Sequence, residues 1–226
     1  MTTTVVLVRH GQTEWNRVER FRGRADIPLN TTGLQQAEAA ARRIAQTWQP
    51  VAVYTSPLDR AVRTALAIGR TTGRVPVSHS GLTDIDYGEW QGLTPLEARQ
   101  RWPELVEGWY ATPALVRIPG GETLEMLRRR AMGAVQELTS RHTGETIVLV
   151  GHTVVNRIIL LTVLGLGNDR FWRLRQEPCA INVFELDKGV FSLVLLNDTC
   201  HLAALTQPGI GSLDPPSGEV RPIPVV

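Results

Sequence analysis

The chain has 226 residues, 42% of them hydrophobic and 20% charged, with a formal net charge of +2. That composition fits one soluble globular domain with a sizeable core, and it argues against a nucleic-acid binder, which is usually clearly basic. No run approaches the roughly 18 apolar residues of a membrane span, and the short apolar run behind Met1 lacks the basic flank of a signal sequence, so a cytoplasmic protein without membrane or nucleic-acid partners is expected.

Residues 5–8 are β-branched or apolar on both faces, the pattern of a buried parallel strand. In residues 32–48, Leu34, Ala37, Ala41, Ile44 and Trp48 recur near the helical period. Residues 51–54 read as a second strand. Ser56-Pro57 then resembles an N-cap with proline at the first helical position, opening a helix that reaches about Ile68 and stops at Gly69. Residues 78–119 are punctuated by glycine and proline and hold Trp90, Trp102 and Trp109. They read as an irregular, lid-like insertion with short helices, in which the tryptophans serve as packing anchors.

Leu124, Leu127, Ala131, Ala134 and Leu138 mark an amphipathic helix, and its Arg128-Arg129-Arg130 run reads as a solvated face, with structural docking of Arg130 as the alternative. Residues 146–150 form another buried-strand run and 154–164 another apolar helix. Residues 181–186 and 190–196, joined at Asp187-Lys188-Gly189, read as a hairpin at the sheet edge. The alternation of strands and helices predicts an α/β fold with a mainly parallel sheet. The domain is placed at residues 1–206, followed by a Pro/Gly-rich tail over 207–226. Cys179 and Cys200 are read as two buried free thiols.

Two histidines directly follow apolar strands, His10 after Arg9 and His152 after Gly151. Ligands of open α/β sheets bind at the carboxyl ends of strands, so both point to one edge, and the strand at 51–54 leads toward Arg60 at that edge. Two imidazoles and two guanidiniums in one pocket suit a phosphoryl group. Arginine grips its oxygens, neutral imidazole can attack phosphorus, and fixed cations stabilise the charge that builds on the oxygens. Gly11 is expected to let the backbone approach the ligand. His79 and His142 lie in weakly patterned stretches and receive no role. Metal-ligand spacings such as His-x-His are missing, so a metallohydrolase is set aside and no cofactor is expected.

Arg9-His10-Gly11-Gln12-Thr13-Glu14-Trp15-Asn16 resembles the signature of the histidine phosphatase superfamily, the phosphoglycerate mutase-like family. Further matching segments follow in order: the stretch from Arg22-Gly23 to Thr32-Gly33, then Ser56-Pro57-Leu58-Asp59-Arg60-Ala61, Leu82-Thr83-Asp84, Tyr87-Gly88-Glu89-Trp90, Pro119-Gly120-Gly121-Glu122-Thr123 and Gly151-His152. The resemblance implies a three-layer αβα sandwich around a mainly parallel sheet. It implies a metal-independent, histidine acid phosphatase-type phosphomonoesterase acting on a small phosphorylated metabolite, and a homodimer by family habit. By position, His10 is the phosphorylated nucleophile. Arg9, Arg60 and His152 hold the phosphoryl oxygens, Asn16 and Thr13 support them, and Arg22, Gly23, Tyr87 and Thr153 contact substrate.

The family's general acid is usually glutamate, whereas this chain has Asp84 there, one methylene shorter. Asp86 and Glu89 stand as alternatives. Thr153-Val154 replaces the usual glycine pair and predicts a narrower rim. The segment from Asn197 to His201 is expected to close the sheet edge near the site by hydrogen bonding. Arg22-Gly23-Arg24, in place of the mutase pattern, and a short 92–122 segment favour a phosphatase over a cofactor-dependent mutase. A catalytically silent family member is the second alternative. Arg22 and Arg24 are expected to suit small acidic phosphoesters; the resembling subgroup includes α-ribazole phosphatases, phosphoserine phosphatases and broad-specificity enzymes, among which these motifs do not choose.

Overall fold

The computed structural model describes residues 1–205; the tail over 207–226 and the proposed boundary at 206 lie outside them. Its sheet has six strands: β1 (Thr3–Arg9), β2 (Ala52–Thr55), β3 (Val77–Ser78), β4 (Thr146–Gly151), β5 (Ile181–Asp187) and β6 (Val190–Asp198), in spatial order β3-β2-β4-β1-β5-β6. The first four are parallel, and β5 and β6 are antiparallel additions at one edge.

β1 and β4 are continuous apolar runs because both faces are covered. Val5 and Leu7, with Ile147 and Leu149, pack under α6 (Leu124–Arg141) and α7 (Thr153–Val163). Val6 and Val8, with Val148 and Val150, pack under α2 (Thr31–Thr47) and α3 (Asp59–Thr72). The period-two alternation of a strand thus feeds two separate cores, giving three layers. The hairpin turns through Lys188 (φ 49°) and Gly189 (φ 82°), the two positive-φ residues that a primed turn requires.

Several local expectations are corrected. Leu34 is 50% exposed rather than part of the buried stripe of α2. α3 begins at Asp59, not after Ser56. Its N-terminus is capped from a distant segment, with Asp26 Oδ1 accepting the Asp59 N–H at 2.8 Å. The helix runs through Gly69 to Gly73, where the chain turns left-handed at φ 69°. Gly69 is small because a Cβ there would meet the Arg74 carbonyl oxygen at 2.4 Å. No periodic pattern in the sequence marks the two-residue β3 or the short α1 (Glu14–Arg17). Cys179 is buried and Cys200 exposed, both as free thiols.

Residues 78–119 are irregular as expected, with α4 (Pro95–Arg101), α5 (Pro103–Ala111) and three 3₁₀ turns. Trp90 and Trp109 are buried, with ring centroids 6.2 Å apart, and Trp102 packs against the same core. Among the described residues no helix is long and apolar enough to cross a membrane.

Candidate active site

β1 and β4 pair in parallel with Arg9 opposite Gly151. The next residue of each strand is a histidine, and both rings emerge at the same sheet edge with centroids 5.0 Å apart. The His10 N–H donates to the Gly151 carbonyl (3.0 Å) and its own carbonyl accepts from Cys179 N–H (3.2 Å), so the backbone on both sides of the residue is fixed. The 197–201 segment ties down that support as expected. Asn197 Oδ1 accepts the Glu177 N–H at 2.8 Å, and a His201 ring nitrogen bonds the Cys179 carbonyl at 3.1 Å.

His10 Nδ1 lies 2.6 Å from the Gly11 carbonyl oxygen. A carbonyl only accepts, so Nδ1 carries the proton and Nε2 keeps its lone pair. Burial, followed by the Arg60 and Arg9 charges, holds the His10 pKa well below the usual imidazole range. Its ring is therefore neutral at pH 7, the form that attacks phosphorus.

Arg60 comes from the first turn of α3. Its Nε donates to His152 Nδ1 (3.2 Å), and its Nη groups donate to the carbonyls of Ala25 (2.6 Å) and Gly23 (2.7 Å). Because His152 Nδ1 accepts, Nε2 bears the proton and donates to Ser56 Oγ at 2.7 Å. Burial, then the Arg60 charge, keeps His152 neutral as well. Arg9 donates through Nη1 to the Gln176 carbonyl while its buried Nε has no protein partner. Burial lowers Arg9 to about 9 and Arg60 to about 10, so both remain cationic near neutrality.

Asn16 Oδ1 accepts from Thr13 N–H (2.8 Å) and Thr13 Oγ–H (2.9 Å). Two donors fix the amide's orientation and leave Nδ2 as a buried donor without a protein partner. Thr153 Oγ1 is another such buried atom, at the start of α7. Arg22 is buried beside these groups and bonds the Trp15 carbonyl at 3.1 Å. Tyr87 is buried against Phe21, and burial raises its phenol.

Asp84 is the acidic group of this chamber. It is 4% exposed, its Oδ1 accepts the Ile85 N–H (3.0 Å), and its Oδ2 lies 3.7 Å from Arg60 Nη2. Burial raises its pKa against the opposing pull of Arg60 and Arg22. The two alternatives sit elsewhere: Asp86 pairs with Arg24 at 3.2 Å, and Glu89 is exposed.

Other readings change. Gly11 is small for a packing reason: a Cβ there would meet the Gly33 carbonyl oxygen at 2.4 Å, so the histidine loop rests directly on the start of α2. Arg24 lies outside the chamber, paired with Asp86 and Glu122. Arg128 and Arg130 are half-buried and docked, Arg130 according to the alternative reading. Arg128 donates to Asn168 Oδ1 and the Leu166 carbonyl, and Arg130 to the loop that carries Asp84. His79 and His142 bond elsewhere, His79 to Gly81 N–H and Glu137, His142 to Tyr54 and Glu145. Ser56 is not the cap of α3 but a wholly buried partner of His152. Its place just beyond the end of β2 was the available signal, since that is the edge where His10 and His152 emerge.

Residues 5–199 match the histidine phosphatase superfamily (branch 1). Phosphoserine phosphatase 1 of Hydrogenobacter thermophilus is 32% identical over 88% of this chain and 93% of its own length. The metal-independent phosphoserine phosphatase of Arabidopsis thaliana is 38% identical over 90% of this chain and 84% of its own. Among solved structures, Bacillus stearothermophilus YhfR superposes with a TM-score of 0.84 at 31% identity, covering 88% of this chain and 99% of that one. A mycobacterial glucosyl-3-phosphoglycerate phosphatase reaches 0.80 at 26% identity, covering 88% and 100%. The fold, the ordered motifs and these relatives agree: this chain belongs to branch 1 of the histidine phosphatase superfamily and is a phosphatase.

Proposed function

We propose that His10 Nε2 attacks the phosphorus of a small phosphomonoester. As the N–P bond forms, the P–O bond to the leaving group breaks and its electron pair goes to the leaving oxygen, which takes the proton of Asp84. Water then attacks the phosphohistidine. Asp84 accepts its proton, the P–N bond breaks, and the pair returns to His10. Arg9, Arg60, His152 and the Asn16 amide hold the non-bridging oxygens, and His152 Nδ1 also accepts from Arg60. The observation that carries this reading is a neutral imidazole, locked with Nε2 free, in a buried chamber of guanidiniums. The raised carboxyl of Asp84 supports its role as the proton donor.

The chamber gives arginine, imidazole and amide groups for the phosphoryl oxygens and needs no metal for charge neutralisation. The relatives named as phosphoserine phosphatases make O-phosphoserine the first substrate to offer. The test is a substrate panel in excess chelator, with acid-quench trapping of labelled enzyme. Turnover with an acid-labile phosphoenzyme supports the reading. Loss of activity in chelator, or efficient isomerisation of 3-phosphoglycerate with negligible phosphate release, overturns it.

A further inference from the structure

The loop that carries Asp84 has no long helix or strand to stiffen it; between β3 and α4 it contains only two 3₁₀ turns. What it has instead is Arg130, reaching in from α6. All five guanidinium N–H groups are used. Nε donates to Glu122 Oε1 (2.8 Å), Nη1 to the carbonyls of Gly81 (3.1 Å) and Thr83 (2.7 Å), and Nη2 to the Asp84 carbonyl (2.8 Å) and Glu122 Oε2 (2.9 Å). Glu122 Oε2 also accepts the Asp86 N–H at 3.0 Å and pairs with Arg24 at 3.4 Å. The carbonyls flanking Arg24, of Gly23 and Ala25, take the Arg60 guanidinium, and Arg60 faces Asp84 Oδ2. These contacts form a closed circuit around Asp84.

We infer that Arg130, with Glu122 as its counter-ion, is a positioning residue that fixes the 81–84 backbone so that the carboxyl of Asp84 reaches the leaving oxygen. The inference rests on Asp84 being the proton donor. Aspartate has one rotatable bond fewer than glutamate, so its carboxyl inherits any backbone error directly, and a displacement near 1 Å costs about 10²-fold in rate. Only a planar fork can hold three carbonyls and a carboxylate at once; the point charge of lysine cannot.

The test compares Arg130→Lys with the wild-type chain on an alkyl phosphate and on nitrophenyl phosphate, whose leaving group needs no proton. The expected result is a loss of kcat/KM of about 10²-fold on the alkyl ester and a change within about threefold on the aryl ester. In an Asp84→Asn background, Arg130→Lys is expected to add nothing, because both act on one proton transfer. Equal losses on both esters, or losses that multiply in the double variant, overturn the inference.

Amide exchange at Ile85 and Asp86 gives an independent readout and is expected to quicken in Arg130→Lys; unchanged exchange also overturns the inference. Should Arg130→Lys fail to fold, Glu122→Gln, which keeps shape and loses the counter-ion, is read the same way. A wild-type chain that cleaves neither ester removes the functional reading, and the clamp is then judged by amide exchange alone.

Discussion

His10 and His152 stand 5.0 Å apart because they leave neighbouring parallel strands at the same register. Adjacent strands run about 4.8 Å apart, so the sheet's own spacing sets the distance between the two imidazoles. Nucleophile and support are placed by backbone hydrogen bonds, and the adjoining loops need only orient the rings.

Removing the nucleophile tests this directly. His10→Ala is expected to lower turnover by at least about 10³-fold and to abolish the acid-labile phosphoenzyme, as read by acid-quench labelling. A labelled protein that survives the substitution would move the nucleophile to another residue.

Asp84→Asn should slow the first step, read as kcat/KM, by about 10²-fold for alkyl phosphates and leave that parameter nearly unchanged for nitrophenyl phosphate. The raised carboxyl must stay protonated to donate, so activity on alkyl esters should decline as pH climbs past its pKa, and that alkaline limb should flatten in Asp84→Asn. A pH–rate profile on both ester types shows whether it does.

Stability should depend on pH through the two neutral histidines. Their native pKa values lie well below 6.5, so below about pH 6.5 the unfolded chain binds protons that the native chain does not. Stability is therefore fully present above that pH and falls on acidification. The two histidines together contribute a slope of up to about 2.7 kcal/mol per pH unit. Denaturant titrations between pH 7 and 5 should show the slope reduced in His152→Asn.

Ser56→Ala leaves the His152 Nε2–H buried without an acceptor. We expect a loss of about 1–3 kcal/mol in stability and a lower kcat, because the His152 ring then loses one of the two partners that hold its orientation. Gly11→Ala should cost about 1–3 kcal/mol through the clash with Gly33. Chemical denaturation measures both.

Much of this was legible in the chain itself. The runs at 5–8 and 146–150 announced buried strands because both their faces are covered, and the histidines behind them inherited a location. What escaped the sequence depended on distant partners. Asp26 caps α3 from 33 positions upstream, so Ser56-Pro57 imitated a cap locally while Ser56 bonded a histidine. Of three consecutive arginines, the sequence marks Arg130 alone as able to dock and gives no sign for Arg128. On the helix, Arg128 turns toward the end of α7, Arg130 toward the acid loop, and only Arg129 faces solvent, bonding Glu125 at 3.0 Å. Exposed two-residue β3 carries no hydrophobic pattern at all.

The burial of Arg9, Arg22 and Arg60 has an effect on the reaction's last step. These cations are withdrawn from water and greet any tetrahedral dianion alike. Orthophosphate should therefore compete with the ester, and its departure should be slow. Such a catalyst throttles itself as its product accumulates, and its rate follows the phosphate content of its surroundings.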